Sequence, residues 1–146
     1  MFTAEADVTI NRPLEEVFAF VSTPSEIPQW QHDVVESRQT SAGPLGVGAT
    51  GAMVRTALGR KVETGWEVTD FKANAGYTVK STGNALLSYV LTYAFTAVDG
   101  GTRVQASFQG EAHGLAKPME GMIANSVKQD WQEDHQRLKT LLESRA

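Results

Sequence analysis

Cysteine is absent from the 146 residues of this chain. Its absence excludes a disulfide framework, thiol catalysis and a zinc site built from cysteines, and it suits a reducing compartment. The sequence also lacks an apolar run long enough to cross a bilayer, and its N-terminus carries no basic segment followed by an apolar one. We therefore expect a cytoplasmic protein without stable membrane insertion.

An excess of basic residues is also missing. The 13 Lys and Arg residues are scattered and outnumbered by 17 Asp and Glu, which gives a formal net charge of −4. This argues against nucleic acid as a partner, because nucleic acid is recognised through clustered positive charge. The histidines His32, His113 and His135 lack ligand spacing, so we predict no metal site. We expect them to be surface or hydrogen-bonded structural residues; the alternative for His32 and His135 is a general base.

One stretch matches a cofactor-binding motif in its sequence but not in its predicted structural context. Gly46–Gly51 reads Gly-Val-Gly-Ala-Thr-Gly, and Asp70 follows about 20 residues later, as in the dinucleotide-binding fingerprint. That motif needs a strand before it and a helix after it, whereas here a loop containing proline precedes and strand-like residues follow. We interpret the stretch as a turn entering a strand, and we predict no cofactor. The motifs of common hydrolases, P-loop enzymes and zinc proteases are also absent.

The segment from Pro118 to Glu143 is the longest predicted helix and closes the sequence. At about 100° per residue its apolar side chains fall on one arc, which is typical of a helix packed on a core. Asp130 and Asp134 project into the middle of that arc, where an unpaired charge is costly. The apolar positions are Met119, Ile123, Val127, Trp131, Leu138, Leu141 and Leu142.

Most of the chain before this helix is predicted to form short strands. Alternation indicates a half-buried strand over Phe2–Ile10, and apolar residues at helical spacing follow from Leu14 to Val21. A short helical turn is expected over Ser25–Trp30, and about six strands in meander order come after it. We therefore predict one α+β domain over residues 1–146, in which a curved antiparallel sheet of about seven strands wraps the C-terminal helix.

Four segments of the sequence share a pattern with a known superfamily. They are Ile10–Val21 followed by Pro28 and Trp30, then Gly46–Gly48, Gly100–Val104 and Leu138–Glu143. On these segments the chain resembles the START-like (SRPBCC, helix-grip) superfamily, in its polyketide cyclase/dehydrase-like branch. The resemblance covers essentially the whole chain and implies a helix-grip fold with a hydrophobic cavity between the sheet and the last helix. It supplies no catalytic residues, because the superfamily shares no catalytic set.

Large interior side chains are the candidates for contact with a guest in such a cavity. Most of them are expected to be core, but in this fold the core and the pocket wall are one surface, and tyrosine hydroxyl and indole N–H groups would orient a ligand. The loops Ser41–Gly48 and His113–Pro118 are expected to gate the opening. The predicted ligand-binding residues are Trp30, Trp66, Tyr77, Tyr89, Tyr93, Phe108, Met119 and Ile123.

The acidic pair of the last helix allows two interpretations. Paired carboxylates can divide acid and base roles, and Asp130 and Asp134 are therefore the candidates for catalysis, should the protein be an enzyme. Alternatively, an arginine of the sheet, such as Arg55 or Arg103, forms ion pairs with them.

The function expected from these observations is the binding, and possible transport, of a small hydrophobic or amphipathic molecule by a monomer or homodimer. One alternative is an enzyme of the cyclase or dehydratase type, which a polar cavity lining would favour. A second alternative is an interaction module resembling co-chaperones, which a filled interior and an exposed apolar patch would favour.

Overall fold

The computed structural model describes residues 1–57, 59–83 and 86–145. The predicted domain, residues 1–146, therefore includes positions 58, 84, 85 and 146, which lie outside the described residues. The strands are β1 (Phe2–Ile10), β2 (Val34–Gln39), β3 (Thr50–Ala57), β4 (Arg60–Lys72), β5 (Gly76–Thr82), β6 (Leu87–Val98) and β7 (Gly101–Ala112). The α-helices are α1 (Leu14–Val21) and α2 (Glu120–Glu143), and 3-10 helices span Pro24–Gln29 and Gly114–Met119.

The seven strands form one antiparallel sheet in the order β1-β7-β6-β5-β4-β3-β2. Consecutive strands from β2 to β7 pair with each other, and β1 forms one edge of the sheet by pairing with β7. Helix α2 packs mainly over β1. The α+β architecture predicted from the sequence is confirmed: seven strands, a long C-terminal helix and short helices after the first strand.

Helix α2 begins two residues later than predicted. Pro118 lies in the 3-10 helix Gly114–Met119, and α-helical geometry starts at Glu120. The cause is local, because a proline disfavours α-helical geometry in the residue before it, here Lys117. Glu120 then fixes the start of α2, since its Oε2 accepts a hydrogen bond from the backbone N–H of Ala112 at 2.9 Å. No helix in the described part of the chain is long and apolar enough to cross a membrane.

The interior beneath the C-terminal half of α2 is filled with aromatic side chains around a buried histidine. Burial lowers the pKa of His135 to about 4, so its ring is neutral at physiological pH. Its Nδ1 lies 2.6 Å from the carbonyl oxygen of Trp131, which can only accept a hydrogen bond, and the Tyr93 hydroxyl lies 2.8 Å from Nε2. Tyr93 therefore donates to Nε2. These two hydrogen bonds explain how His135, a polar residue, is buried on the apolar arc of α2.

A close approach of Trp66 makes glycine necessary at position 51. The two residues pair across β3 and β4, and the indole ring of Trp66 covers the backbone of Gly51. A Cβ atom at Gly51 would overlap both this ring and the carbonyl oxygen of Arg38. The sheet can adopt this packing only because position 51 carries no side chain.

We expect Gly51→Ala to lower the free energy of unfolding by about 1–3 kcal/mol, because the added methyl group overpacks the inner face of the sheet. Urea denaturation followed by circular dichroism measures this change. Gly46→Ala is the control, since a Cβ at Gly46 meets nothing within 4 Å. Equal stability of the two variants would contradict the packing described here.

Candidate ligand-binding site

The inner face of the middle strands is only partly covered. Tyr77 pairs with Tyr93 and Val79 pairs with Leu91 across β5 and β6, so all four side chains point to the interior. The two tyrosines are buried, whereas Val79 and Leu91 are half-buried. The difference arises because α2 packs mainly over β1, at the edge of the sheet, and not over β5.

Half-buried apolar residues of α2 lie opposite this uncovered face. Ile123 and Val127 are one turn apart on the side of the helix that carries the buried Ala124 and Trp131. They pack against the same core as the half-buried residues of β5 and β6. We call the space between the helix and these strands the apolar gap; its border is formed by Val79, Leu87, Leu91, Ile123 and Val127.

A separate groove of about 640 Å³ is lined by residues of β1, β6, β7 and α2. Its lining includes exposed polar side chains of β1 and β7, such as Glu5, Asp7 and Gln105, together with Gln132 and Gln136 of α2. A surface of this composition is well hydrated and offers a hydrophobic molecule little apolar contact. The apolar gap is therefore the better candidate for a hydrophobic ligand.

Two buried polar atoms on the inner face of β2 and β4 have no hydrogen-bond partner among the described residues. They are Oγ of Ser37 and Nε1 of Trp66. Ser37 pairs with the buried Met53 of β3, and Trp66 belongs to the same core cluster as Met53. Unpaired buried polar atoms are rare in folded proteins because each has given up its hydrogen bonds to water.

Arg55 of β3 brings a positive charge to this inner face. It lies two residues from the buried Met53 and therefore on the same side of the strand. Its Nη1 donates to Asp33, at 3.1 Å to Oδ2 and 3.3 Å to Oδ1, and its Nη2 lies 3.1 Å from Sδ of Met53. Burial raises the pKa of the Tyr89 hydroxyl, while the charge of Arg55 and a hydrogen bond to it act in the opposite direction.

The predicted acidic pair does not form one carboxylate centre. Asp134 is buried, and its Oδ1 accepts hydrogen bonds from Arg137 Nη1 at 2.8 Å, from His32 Nδ1 at 2.8 Å and from the backbone N–H of His32 at 3.3 Å. Asp130 is half-buried, and its Oδ1 lies 3.8 Å from His32 Nε2. His32 therefore joins the loop before β2 to both carboxylates of α2.

The two sheet arginines considered from the sequence bind other carboxylates. Arg103 pairs with Asp7 on the outer face, with 2.6 Å between Nη2 and Oδ2, and Arg55 pairs with Asp33. Asp134 does take part in an ion pair, but its arginine is Arg137 on its own helix. A catalytic role of Asp130 and Asp134 stays a prediction.

The pKa values of this cluster follow from its hydrogen bonds and burial. The hydrogen bond to Asp134 raises the pKa of His32, although partial burial lowers it. Burial raises the pKa of Asp130, while the charge of His32 acts in the opposite direction. The protonated form of His32 is therefore favoured in the folded protein.

One arrangement has the spacing of metal ligands. His32, Asp33 and Asp134 each offer one ligand atom, and these atoms lie within 4.8 Å of one another. Both carboxylates are already bonded to an arginine, Asp33 to Arg55 and Asp134 to Arg137. A cation would have to compete with these two guanidinium groups, so we interpret the arrangement as an ion-pair network.

The residues predicted to bind a ligand fall into three groups. Six are buried, and Tyr77, Tyr93 and Trp30 of these pack around Phe18, Trp131 and His135 in the main core. Ile123 is half-buried at the apolar gap, and Met119 is 44% exposed. Their role in binding stays a prediction. The six buried residues are Trp30, Trp66, Tyr77, Tyr89, Tyr93 and Phe108.

Sequence reasoning missed most of the residues that border the apolar gap. The predicted ligand-binding residues are mostly aromatic and do not include Val79, Leu87, Leu91 or Val127. Alternation along β5 and β6 does place the first three on the inner face, but the sequence does not show which inner positions α2 leaves uncovered. From the sequence, Arg55 is considered only as an ion-pair partner of Asp130 and Asp134.

Asp134→Asn is expected to lower the pKa of His32 towards the ordinary value of about 6.5, because the charged acceptor is lost. The titration of the His32 ring protons by NMR measures this change. Since the pKa is raised in the folded state, the His32 contact stabilises the fold below about pH 6.5 and loses this effect as the pH rises through the folded-state pKa. Asp7→Asn removes a carboxylate on the outer face and should leave His32 unchanged. An unaltered His32 pKa in Asp134→Asn would refute the contact.

Comparison with solved structures places this geometry in a known fold. The protein TTHA0849 from Thermus thermophilus superposes with a TM-score of 0.81 at 17% identity, with 98% of this chain and 99% of that chain covered. Ara h 8.0201 superposes with a TM-score of 0.74 at 18% identity and 98% coverage of both chains. Identities this low show that the fold is shared.

A third structure is the di-domain ARO/CYC BexL from the BE-7585A biosynthetic pathway. It has a TM-score of 0.77 at 18% identity, and the match covers 98% of this chain and 47% of BexL. No curated protein matches the chain by sequence. The family model described as "Polyketide cyclase / dehydrase and lipid transport" matches residues 1–143. The chain therefore belongs to the polyketide cyclase/dehydrase and lipid transport family.

Proposed function

We propose that this protein binds a small hydrophobic or amphipathic molecule in the apolar gap between β5, β6 and α2. The observation that carries the proposal is the incomplete burial of inward-facing apolar side chains, Val79, Leu87 and Leu91, opposite Ile123 and Val127. Each Å² of apolar surface that a guest removes from water is worth about 25 cal/mol. A hydrophobic guest would therefore complete a core that the helix covers only in part.

The surroundings of the gap supply surfaces that can close over a guest. Leu115, in the predicted gate His113–Pro118, is 89% exposed, and Met119 and Met122 are exposed at the start of α2. Val47, in the other predicted gate, Ser41–Gly48, is also exposed. Flexible methionine side chains adapt to guests of different shape, which supports a binding role for this end of the helix.

The domain organisation supports the same proposal. The start and end of the described chain are joined, since the backbone N–H of Asn11 donates to Glu143 at 2.8 Å and Nε of Arg12 donates to the carbonyl oxygen of Leu142 at 3.0 Å. We therefore infer that residues 1–146 act as one domain.

The proposal predicts that Leu91→Trp weakens binding of the uncharged fluorescent probe N-phenyl-1-naphthylamine by at least about tenfold, because the larger ring occupies the gap. Fluorescence titration measures the dissociation constant. Val90→Trp is the matched control: it places the same ring on the next residue of β6, which faces outward. Equal affinity of the two variants, or no binding by the unmodified protein, would contradict the proposal.

Native mass spectrometry of protein purified from its own host would identify the class of a retained molecule.

Catalysis in the same gap is the second candidate, of the cyclase or dehydratase type. Asp130 favours it, because this carboxyl group lies one turn beyond Val127 on the same side of α2 and burial raises its pKa. We expect Asp130→Asn to abolish any turnover of a polyketide-like substrate while leaving the affinity for N-phenyl-1-naphthylamine within about twofold. Glu133→Gln, on the exposed side of the same helix turn, is the control. Unchanged turnover in Asp130→Asn would remove this residue from the chemistry.

A further inference from the structure

Several large apolar side chains are exposed at one end of the molecule. Leu115 is 89% exposed and Met122 is 69% exposed, and Leu86 and Met119 are exposed as well. Single exposed apolar residues are common, whereas a group of them in one place typically marks a surface that contacts a partner. We call Leu86, Leu115, Met119 and Met122 the exposed patch.

Hydrogen bonds at the start of α2 bring the backbone of this patch together. The backbone N–H of His113 donates to the carbonyl oxygen of Leu86 at 2.8 Å, and His113 directly precedes the 3-10 helix Gly114–Met119. The first residue of α2, Glu120, accepts a hydrogen bond from the backbone N–H of Ala112 at 2.9 Å. Leu86, the 3-10 helix and the first turn of α2 therefore lie side by side.

Basic side chains lie at the same end of the molecule. Neighbouring strands are antiparallel, so the turn from β3 to β4 is at the end of the sheet where β6 begins and β7 ends. Arg60 and Lys61 follow this turn and are exposed. Lys117 belongs to the 3-10 helix and is 56% exposed, although its Nζ contacts Glu120 at 3.2 Å. Positive charge therefore accompanies the exposed patch.

The charges of the molecule are unevenly distributed between its two ends. Acidic residues near the exposed patch lie beside basic groups, since Glu63 contacts Arg38 at 3.4 Å and Glu111 lies 4.0 Å from His113. The whole chain has a formal net charge of −4. This separation of charge turns the exposed patch towards a negatively charged surface. The exposed acidic residues of the opposite end include Glu15, Asp70 and Asp99.

From these observations we propose that the exposed patch docks reversibly on an anionic lipid bilayer. Leu115 and Met122 enter the boundary between headgroups and acyl chains, and Arg60, Lys61 and Lys117 lie near the phosphate groups. The contact is peripheral, and the described part of the chain contains no helix that could span the bilayer. The inference goes beyond the proposed function, because docking requires no guest in the apolar gap.

A second copy of the chain fits the exposed patch less well. The commonest contact between identical subunits is two-fold symmetric and places the same surface on both sides. Here it would bring two copies of Arg60, Lys61 and Lys117 together, and like charges across an interface repel. A lipid surface avoids this conflict, because its acyl chains accept the apolar side chains and its phosphate groups attract the cations.

Binding to lipid vesicles tests the proposal. We expect the unmodified protein to sediment with phosphatidylcholine vesicles that contain about one third phosphatidylglycerol, and far less with vesicles of phosphatidylcholine alone. Leu115→Ser/Met122→Ser should weaken binding to the mixed vesicles by about tenfold or more, because it removes apolar surface that lipid would cover. Val47→Ser/Val98→Ser is the matched control: it changes two exposed valines at the opposite end of the sheet and should leave binding unchanged.

Removal of the basic residues tests the electrostatic part of the proposal. Arg60→Gln/Lys61→Gln should weaken binding to the mixed vesicles by about tenfold or more, because each basic residue near an anionic surface adds to the attraction. Lys72→Gln/Arg145→Gln removes the same number of positive charges from exposed residues of the opposite end and should have a much smaller effect.

The absence of cysteine allows a second measurement that does not depend on loss of binding. Leu115→Cys, labelled with the environment-sensitive fluorophore nitrobenzoxadiazole, should gain fluorescence when the mixed vesicles are added, because the label enters the lipid. The same label on Val47→Cys should remain in water. An unfolded variant cannot produce this difference between two labelled positions.

The proposal is overturned if the unmodified protein does not sediment with the mixed vesicles, if the two serine variants bind equally, or if the label responds equally at both positions. Equal binding to phosphatidylcholine alone also overturns it, because the basic residues would then have no role. If vesicle binding is absent and Leu115→Ser/Met122→Ser abolishes a dimer seen by analytical ultracentrifugation, a second copy covers the exposed patch instead. Binding of N-phenyl-1-naphthylamine without lipid tests the proposed function separately.

Discussion

The packing of α2 over β1 is the constraint on which the rest of the interior depends. A straight helix cannot follow a curved sheet along all of its strands, so contact is concentrated where Trp131, Leu138 and Leu142 meet β1 and β7. Tight packing at that edge leaves Val79, Leu87 and Leu91, on the inner faces of β5 and β6, only half-buried. The filled core at β1 and the half-buried apolar residues of β5 and β6 therefore have the same cause, which is the packing of a straight helix on a curved sheet.

Polar residues on the apolar arc of α2 are accommodated by specific partners. His135 stays neutral and is bonded at both ring nitrogens, by Tyr93 and by the carbonyl of Trp131. Asp134 stays buried because Arg137 and His32 donate to it. If His135 or Asp134 lost its hydrogen-bond partners, the free energy needed to remove its polar group from water would not be recovered. These residues fix the position of the helix as well as filling space.

The sequence was sufficient to predict the fold and insufficient to define the site. Alternation in β1 and the helical period of α2 depend on neighbours in the chain, and both were predicted correctly. The position of Asp134 on the apolar arc was also predicted, but its partners were not, since His32 is 102 residues away and the contact depends on tertiary structure.

The dipeptide His32-Asp33 connects α2 to β3. The His32 side chain bonds to Asp134 of α2, and the Asp33 side chain bonds to Arg55 of β3. At its other end α2 is held by Glu120, which bonds to the end of β7. Residues 120–134 span about 21 Å of helix between these two attachments, and Ile123 and Val127 lie within that span. Polar contacts thus fix the helix at both ends of the gap, while the segment between them presents apolar side chains.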